Sequence, residues 1–274
     1  MALPATYTTG QRIWHWVLWA IVVAILLFLV LPVLVIVPLS FSAGSFLPFP
    51  QPGLAFQWYE ELFSSGPWRL SFRNSMVVAL ATTVLASTLG TLAAMGLNRA
   101  DFPAKSLVMA LLISPIVVPI IIVAVGVYFF YAPLGLTGSL LGLTLAHTVL
   151  AVPFVFITVS ATLAGFDHNL VRAAASLGAP PLVTFRRVVL PTIAPGVISG
   201  AIFAFVIAFD EVVVALFLTG PGERTLPRQM FVGIRENISP VIAAAATLLI
   251  LLSILLMATT EILRRRSARL HGRE

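Results

Sequence analysis

The chain has no cysteine, a single lysine and few charges of either sign: 10 acidic and 16 basic residues in 274. Without cysteine there are no disulfides and no thiolate metal sites, and the compartment is left open. The lysine, Lys105, sits in ADFPAKS with no glycine-rich loop to cradle phosphates, so no Walker A motif is present and ATP is not bound by that route. Four scattered histidines give no metal-ligand spacing. No nucleophile stands beside a base in the sequence, so neither a catalytic site nor a cofactor is expected. Charged residues make up 9% of the chain, against about 25% in a soluble domain. So few charges cannot coat a globule, and lipid is the expected solvent. The net charge of +6 raises nucleic acid as a partner. The basic residues instead fall where loops and the C-terminus lie, which fits a membrane protein and no nucleic acid.

What is abundant is long apolar runs. A helical crossing needs about 20 apolar residues, and six stretches supply them: about 13–39, 74–97, 107–131, 138–164, 189–219 and 240–262. In lipid each must be helical, because an open strand leaves backbone groups unpaired. The expected fold class is therefore all-α, a polytopic membrane protein with six transmembrane helices. The first run is too long for a signal-peptide core of about 7–15 residues, so it reads as an uncleaved span. No soluble domain, low-complexity tract or clear internal repeat is visible. The expected division is 1–73 (tail, first helix and outside loop), 74–263 (a five-helix core) and 264–274 (a basic tail).

Orientation follows from basic residues. With the N-terminus in the cytoplasm, the inside receives Arg12, Arg99, Lys105, Arg172, Arg186, Arg187, Arg264, Arg265, Arg266, Arg269 and Arg273. The outside receives Arg69, Arg73, Arg224, Arg228 and Arg235. The eleven-to-five bias puts both termini in the cytoplasm.

Several local features stand out. QWYEELF at 57–63 can place Trp58, Tyr59, Leu62 and Phe63 on one helical face, as an interfacial helix or as part of an ordered loop. Pro115 and Pro119 interrupt the third span, Pro153 the fourth, and Pro191 and Pro195 open the fifth; they serve packing or kinks that shape a path. Gly196 with Gly200, and Gly90 with Ala94, are small-residue steps for close helix approach, within the chain or at a subunit interface. Asp210 and Glu211 lie in AFVIAFDEVVVALFL, mid-span. A charge there costs about 2.5–3.5 kcal/mol on insertion scales. They read either as structural hydrogen-bond partners or as a translocation pathway that favours cations. His147, near Thr144 and Thr148, reads as a packed, hydrogen-bonded residue rather than a ligand.

Between the fourth and fifth spans lies a polar, basic loop, 165–188. Asp167 or Asn169 can cap a short helix there, Gly178 can end it, and Pro180–Pro181 prevent its continuation. The pattern RAAASLGAPPLVTFRRVVLP has Ala173, Ala174, Gly178, Val188, Leu190 and Pro191 at telling positions. It resembles the EAA loop of ABC importer permeases, with Arg172 where that family has Glu. The resemblance implies an ATPase-coupling loop that docks into a separate ATPase subunit. It also implies a complex of two ABC ATPase subunits, a homologous second permease and a periplasmic substrate-binding protein, set in the lipid of a bacterial inner membrane.

Further on, Phe209, Asp210 and Glu211 are followed by Thr219, Gly220 and Pro221, by Leu226 and Pro227, and by Ser239 and Pro240. This order is similar to the polyamine branch (spermidine/putrescine) of that superfamily. Permeases for opines, other amines, metals or anions share parts of it and stay open as alternatives. An ion-coupled secondary transporter is a further reading, in which Asp210 and Glu211 would serve a coupling ion and the docking loop would have no role.

Overall fold

The structure, a computed structural model, describes residues 8–45, 53–99, 101–236 and 238–270, with side chains as far as residue 262. The side chains of Arg264–Arg266 and Arg269, and Arg273 itself, lie outside the described residues. Two compact units divide the chain: 1–63 with 236–250, and 64–235 with 251–274.

In the first unit, α1 (Thr9–Leu39) opens on a capping box formed by Thr8 and Gln11. It is apolar around its whole circumference, and none of its residues is buried, as suits a helix bathed in lipid or covered by another chain. The following loop is tied to α2 (Gln57–Ser64): the Trp58 indole N–H donates to the Ser42 carbonyl at 2.6 Å, and the Tyr59 and Ser40 hydroxyls lie 2.7 Å apart. Of the two readings of the 57–63 segment, the structure has the helix, but Phe63 faces outward while Leu62 is buried.

The second unit holds the core. It runs through α3 (Gly66–Arg99), α4 (Lys105–Val117), α5 (Ile120–Tyr131), α6 (Leu140–Leu163), α7 (Asn169–Ser176), α8 (Pro181–Thr184), α9 (Leu190–Asp210), α10 (Val213–Leu218) and α11 (Leu226–Glu236). The last helix, α12 (Pro240–Leu270), begins in the first unit and carries the chain on through residues 264–270.

Five helical stretches among the described residues are long and apolar enough to cross a membrane: α1, α3, α6, Pro181–Asp210 and Pro240–Ile262. The pair α4 and α5, bent by 107°, makes a sixth if it is counted as one span. The sequence reads 107–131 as one span. Pro119 breaks it, because proline drives the preceding Val118 into extended backbone (ψ 131°) and out of the helix. Pro115, Pro153 and Pro195 lie inside continuous helices. The fifth span also departs from the 189–219 expectation: its helix starts at Pro181, passes through a π-helical turn at Phe185–Val189, and ends at Asp210.

Helices α3, α6 and α9 pack through small residues. Ala86, Ala94, Ala151 and Ala204 are fully buried. A Cβ on Gly90 would lie 2.7 Å from Val155 Cβ. One on Gly200 would lie 2.6 Å from Thr158 Oγ1 and 3.0 Å from Val155 Cα, and one on Gly196 would overlap Thr162 Oγ1. The two small-residue steps therefore serve within-chain packing against α6, where backbones approach because nothing stands between them. Gly200→Leu must displace backbone, an overpacking that costs about 1–3 kcal/mol or more. Its thermal midpoint in detergent should fall by several degrees. Gly96→Leu, at an exposed position with nothing near, should leave the midpoint unmoved, and equal losses in both would contradict this packing.

Candidate functional site

The loop between α6 and α9 is built by its own backbone. The Asp167 carboxylate accepts from the Asn169 N–H at 2.9 Å, with His168 at the N-cap of α7. At the other end Gly178 takes φ +79°, the Gly178 N–H donates to Ala175 at 2.9 Å, and the Ala179 N–H donates to Ala174 at 3.0 Å. Those paired bonds around a left-handed residue are a Schellman stop. Arg172, Ala173 and Gly178 are exposed and Ala174 is half-buried; Leu190 and Pro191 sit in the first turn of α9. Buried Thr184 and Val189 anchor the far side. Leu177 is 88% exposed and Leu182 is 62% exposed. A polar loop thus presents two bare leucines flanking Gly178, a feature the sequence pattern does not single out.

Asp210 and Glu211 do not share a helix. Asp210 ends α9; Glu211 is extended (φ −71°, ψ 119°), and α10 starts two residues later. Glu211 Oε1 accepts from the Val213 N–H at 2.7 Å, and Oε2 from Val214 at 2.8 Å and Ala215 at 3.3 Å. The carboxylate thereby satisfies donors that a helix start leaves orphaned, and complements the positive end of the peptide dipoles. His147 Nε2 lies 3.3 Å from Glu211 Oε2, with the histidine side chain fully buried and that of Glu211 9% exposed. Asp210 is exposed on this chain, and among the described residues nothing pairs with it. The expectation that both acids lie in the middle of one helical span is corrected: the Glu211 side chain turns back onto the Val213, Val214 and Ala215 N–H groups and replaces the backbone acceptors of a continuous helix. His147 is packed, as its sequence surroundings suggest, yet its polar contact is the acid 64 positions on (211 − 147).

The outside loop after α10 is pinned to the start of α3. Asn74 Nδ2 donates to the Gly222 and Arg224 carbonyls, both at 3.1 Å, and Ser75 Oγ accepts from the Leu226 N–H at 2.8 Å. Arg228 donates to the Thr219 carbonyl and hydroxyl and to the Gly220 carbonyl. Burial, with the neighbouring Arg224 guanidinium, lowers the Arg228 pKa from its ordinary value. Among the described residues no group of three or more His, Cys, Asp or Glu is placed to hold a metal ion.

Apolar helices long enough to cross a membrane, with a helical loop between α6 and α9, define a multi-pass membrane protein. Residues 86–269 match the family of binding-protein-dependent transport system inner membrane components, and the chain belongs to that family. It is a permease subunit of an ABC importer, resident in the inner membrane and not itself catalytic. It is 30% identical over 217 residues to the spermidine/putrescine transport system permease protein PotC of Haemophilus influenzae (79% of this chain, 84% of that protein). It is 31% identical over 235 residues to the putrescine permease PotI of Escherichia coli (82% and 83%). The trehalose permease SugB of Mycobacterium tuberculosis is 30% identical over 208 residues (73% and 75%). In fold it matches a chain of a bacterial alginate ABC transporter solved with an alginate-pentasaccharide-bound periplasmic protein (TM-score 0.70, 15% identity, 94% of this chain and 95% of that one).

Proposed function

We propose that this chain lines the path of an importer for a polyamine such as putrescine or spermidine, with Asp210 facing the cargo. The observation that carries this reading is the exposed Asp210 carboxylate at the break in the fifth span. An ammonium group entering the membrane loses water, and a fixed carboxylate offsets part of that cost. The carbonyl end of α9 adds partial negative charge at the same place. The polyamine names of PotC and PotI support the same cargo. Glu211 stands beside the path as the cap of α10. The bare Leu177 and Leu182 support docking of the 165–188 loop into an ATPase subunit, two of which would serve a pair formed with a homologous second permease. The pinned 219–236 loop is the landing place for a periplasmic binding protein.

In proteoliposomes holding the complete complex, ATP should drive accumulation of labelled putrescine and not of trehalose. Accumulation of trehalose, at comparable identity to SugB, would overturn the cargo assignment. Both termini lie in the cytoplasm on this reading: a reporter fused after Arg266 should read as cytoplasmic and one inserted near Gly222 as periplasmic. Two reporters on one side would contradict the six-span arrangement.

A further inference from the structure

We infer that His147 is a positioning residue for the translocation path: through Glu211 it fixes the angle at which the chain breaks between α9 and α10, and so where Asp210 is presented. The inference rests on Asp210 as the group that faces the cargo.

The three backbone donors to Glu211 come from residues two to four positions on. They define the local cap but do not tie the break to the bundle. The polar tie to another helix is His147, on α6. That helix packs closely against α3 through Gly90 and against α9 through Gly196 and Gly200. Neither Nδ1 nor Nε2 of His147 makes a hydrogen bond among the described residues, so the ring's polar engagement there is the 3.3 Å approach of Nε2 to Glu211 Oε2. A fully buried imidazole in an apolar helix is costly unless such an engagement repays it. Around it, Leu143, Ala146 and Leu150 of α6 share a buried cluster with Val214, Ala215 and Leu218 of α10. Those apolar contacts hold α10 against α6 but allow sliding. The His147–Glu211 contact at their centre fixes the register. Asp210 precedes Glu211 directly, so a rotation at Glu211 swings the Asp210 carboxylate.

The test uses the complete complex in proteoliposomes with putrescine as the probe. His147→Leu removes the polar ring at similar volume and should raise the apparent KM for putrescine about tenfold. His147→Gln keeps an N–H of similar reach and should stay within about threefold of the unmodified complex. A second readout is independent of cargo. The chain has no cysteine, so Asp210→Cys provides a unique thiol on it. Its modification rate by a small cationic methanethiosulfonate reagent should change at least fivefold on adding His147→Leu and should be nearly restored by His147→Gln. A Gln variant that behaves like Leu, or one labelling rate in all three backgrounds, overturns the inference. Should His147→Leu fail to assemble, the Gln variant decides alone: near-normal KM and labelling support positioning, and a tenfold KM rise refutes it. Normal putrescine uptake by Asp210→Asn would instead remove the cargo reading, while a His147-dependent labelling rate would leave the positioning role standing.

Discussion

Asp210→Asn should lower putrescine uptake by one to two orders of magnitude in a complex that still assembles and still hydrolyses ATP. A carboxylate about 4 Å from an ammonium is worth about 4 kcal/mol at an effective dielectric of 20. Part of that is recovered by water and by the carbonyl end of α9, and each 1.4 kcal/mol lost is about tenfold. Asp210 is exposed and its side chain has no hydrogen bond or ion pair among the described residues, so the amide should not destabilise the fold. Asp210→Glu should recover most of the uptake by restoring the charge. Glu211→Gln is expected to differ in kind: an amide offers one acceptor oxygen where three backbone donors now share two, so it should lower the thermal midpoint of the complex as well as uptake. If Asp210→Asn transports putrescine at the normal rate, the charge argument fails.

The second large effect is expected at Gly178. Its φ of +79° is the left-handed region, and nothing lies within 4 Å of where a Cβ would project. A leucine there carries about 1–2 kcal/mol of backbone strain and also thrusts a side chain between the bare Leu177 and Leu182. Gly178→Leu should therefore uncouple the complex, with uptake reduced at least tenfold while ATP hydrolysis continues. Asparagine tolerates the left-handed region better than other residues, so Gly178→Asn relieves the strain and isolates the cost of the added side chain. The ratio of putrescine imported to ATP hydrolysed is the readout. A well-expressed Gly178→Leu complex with a normal ratio would refute the loop as the coupling element.

How legible these features are in the sequence differs for physical reasons. The apolar runs are plain because lipid imposes length and composition together. The end of α7 is plain too, since a glycine followed by Pro180 and Pro181 fixes a helix stop locally. Pro119 announces an interruption but not its size, because 107° depends on how α5 packs against α10. The break at Glu211 carries no glycine or proline, and FDEVVV continues an apolar helix by every periodic measure. What stops the helix is a side chain turned back onto its own backbone, visible only once Val213–Ala215 are seen to donate to it. The His147–Glu211 contact joins residues 64 apart, beyond any spacing argument. Gly90, Gly196 and Gly200 announce close approach, whereas their shared partner, the Val155–Thr162 stretch of α6, has to be seen.

The division of labour between the two acids is tested most directly by single cysteines at 210 and 211 in this cysteine-free chain. Modification by a small cationic methanethiosulfonate reagent would be followed in the complete complex, with and without saturating putrescine and binding protein. The account expects Cys at 210 to react at least tenfold faster than Cys at 211 and to be protected by putrescine. Equal rates at the two positions, or no protection at 210, would contradict it.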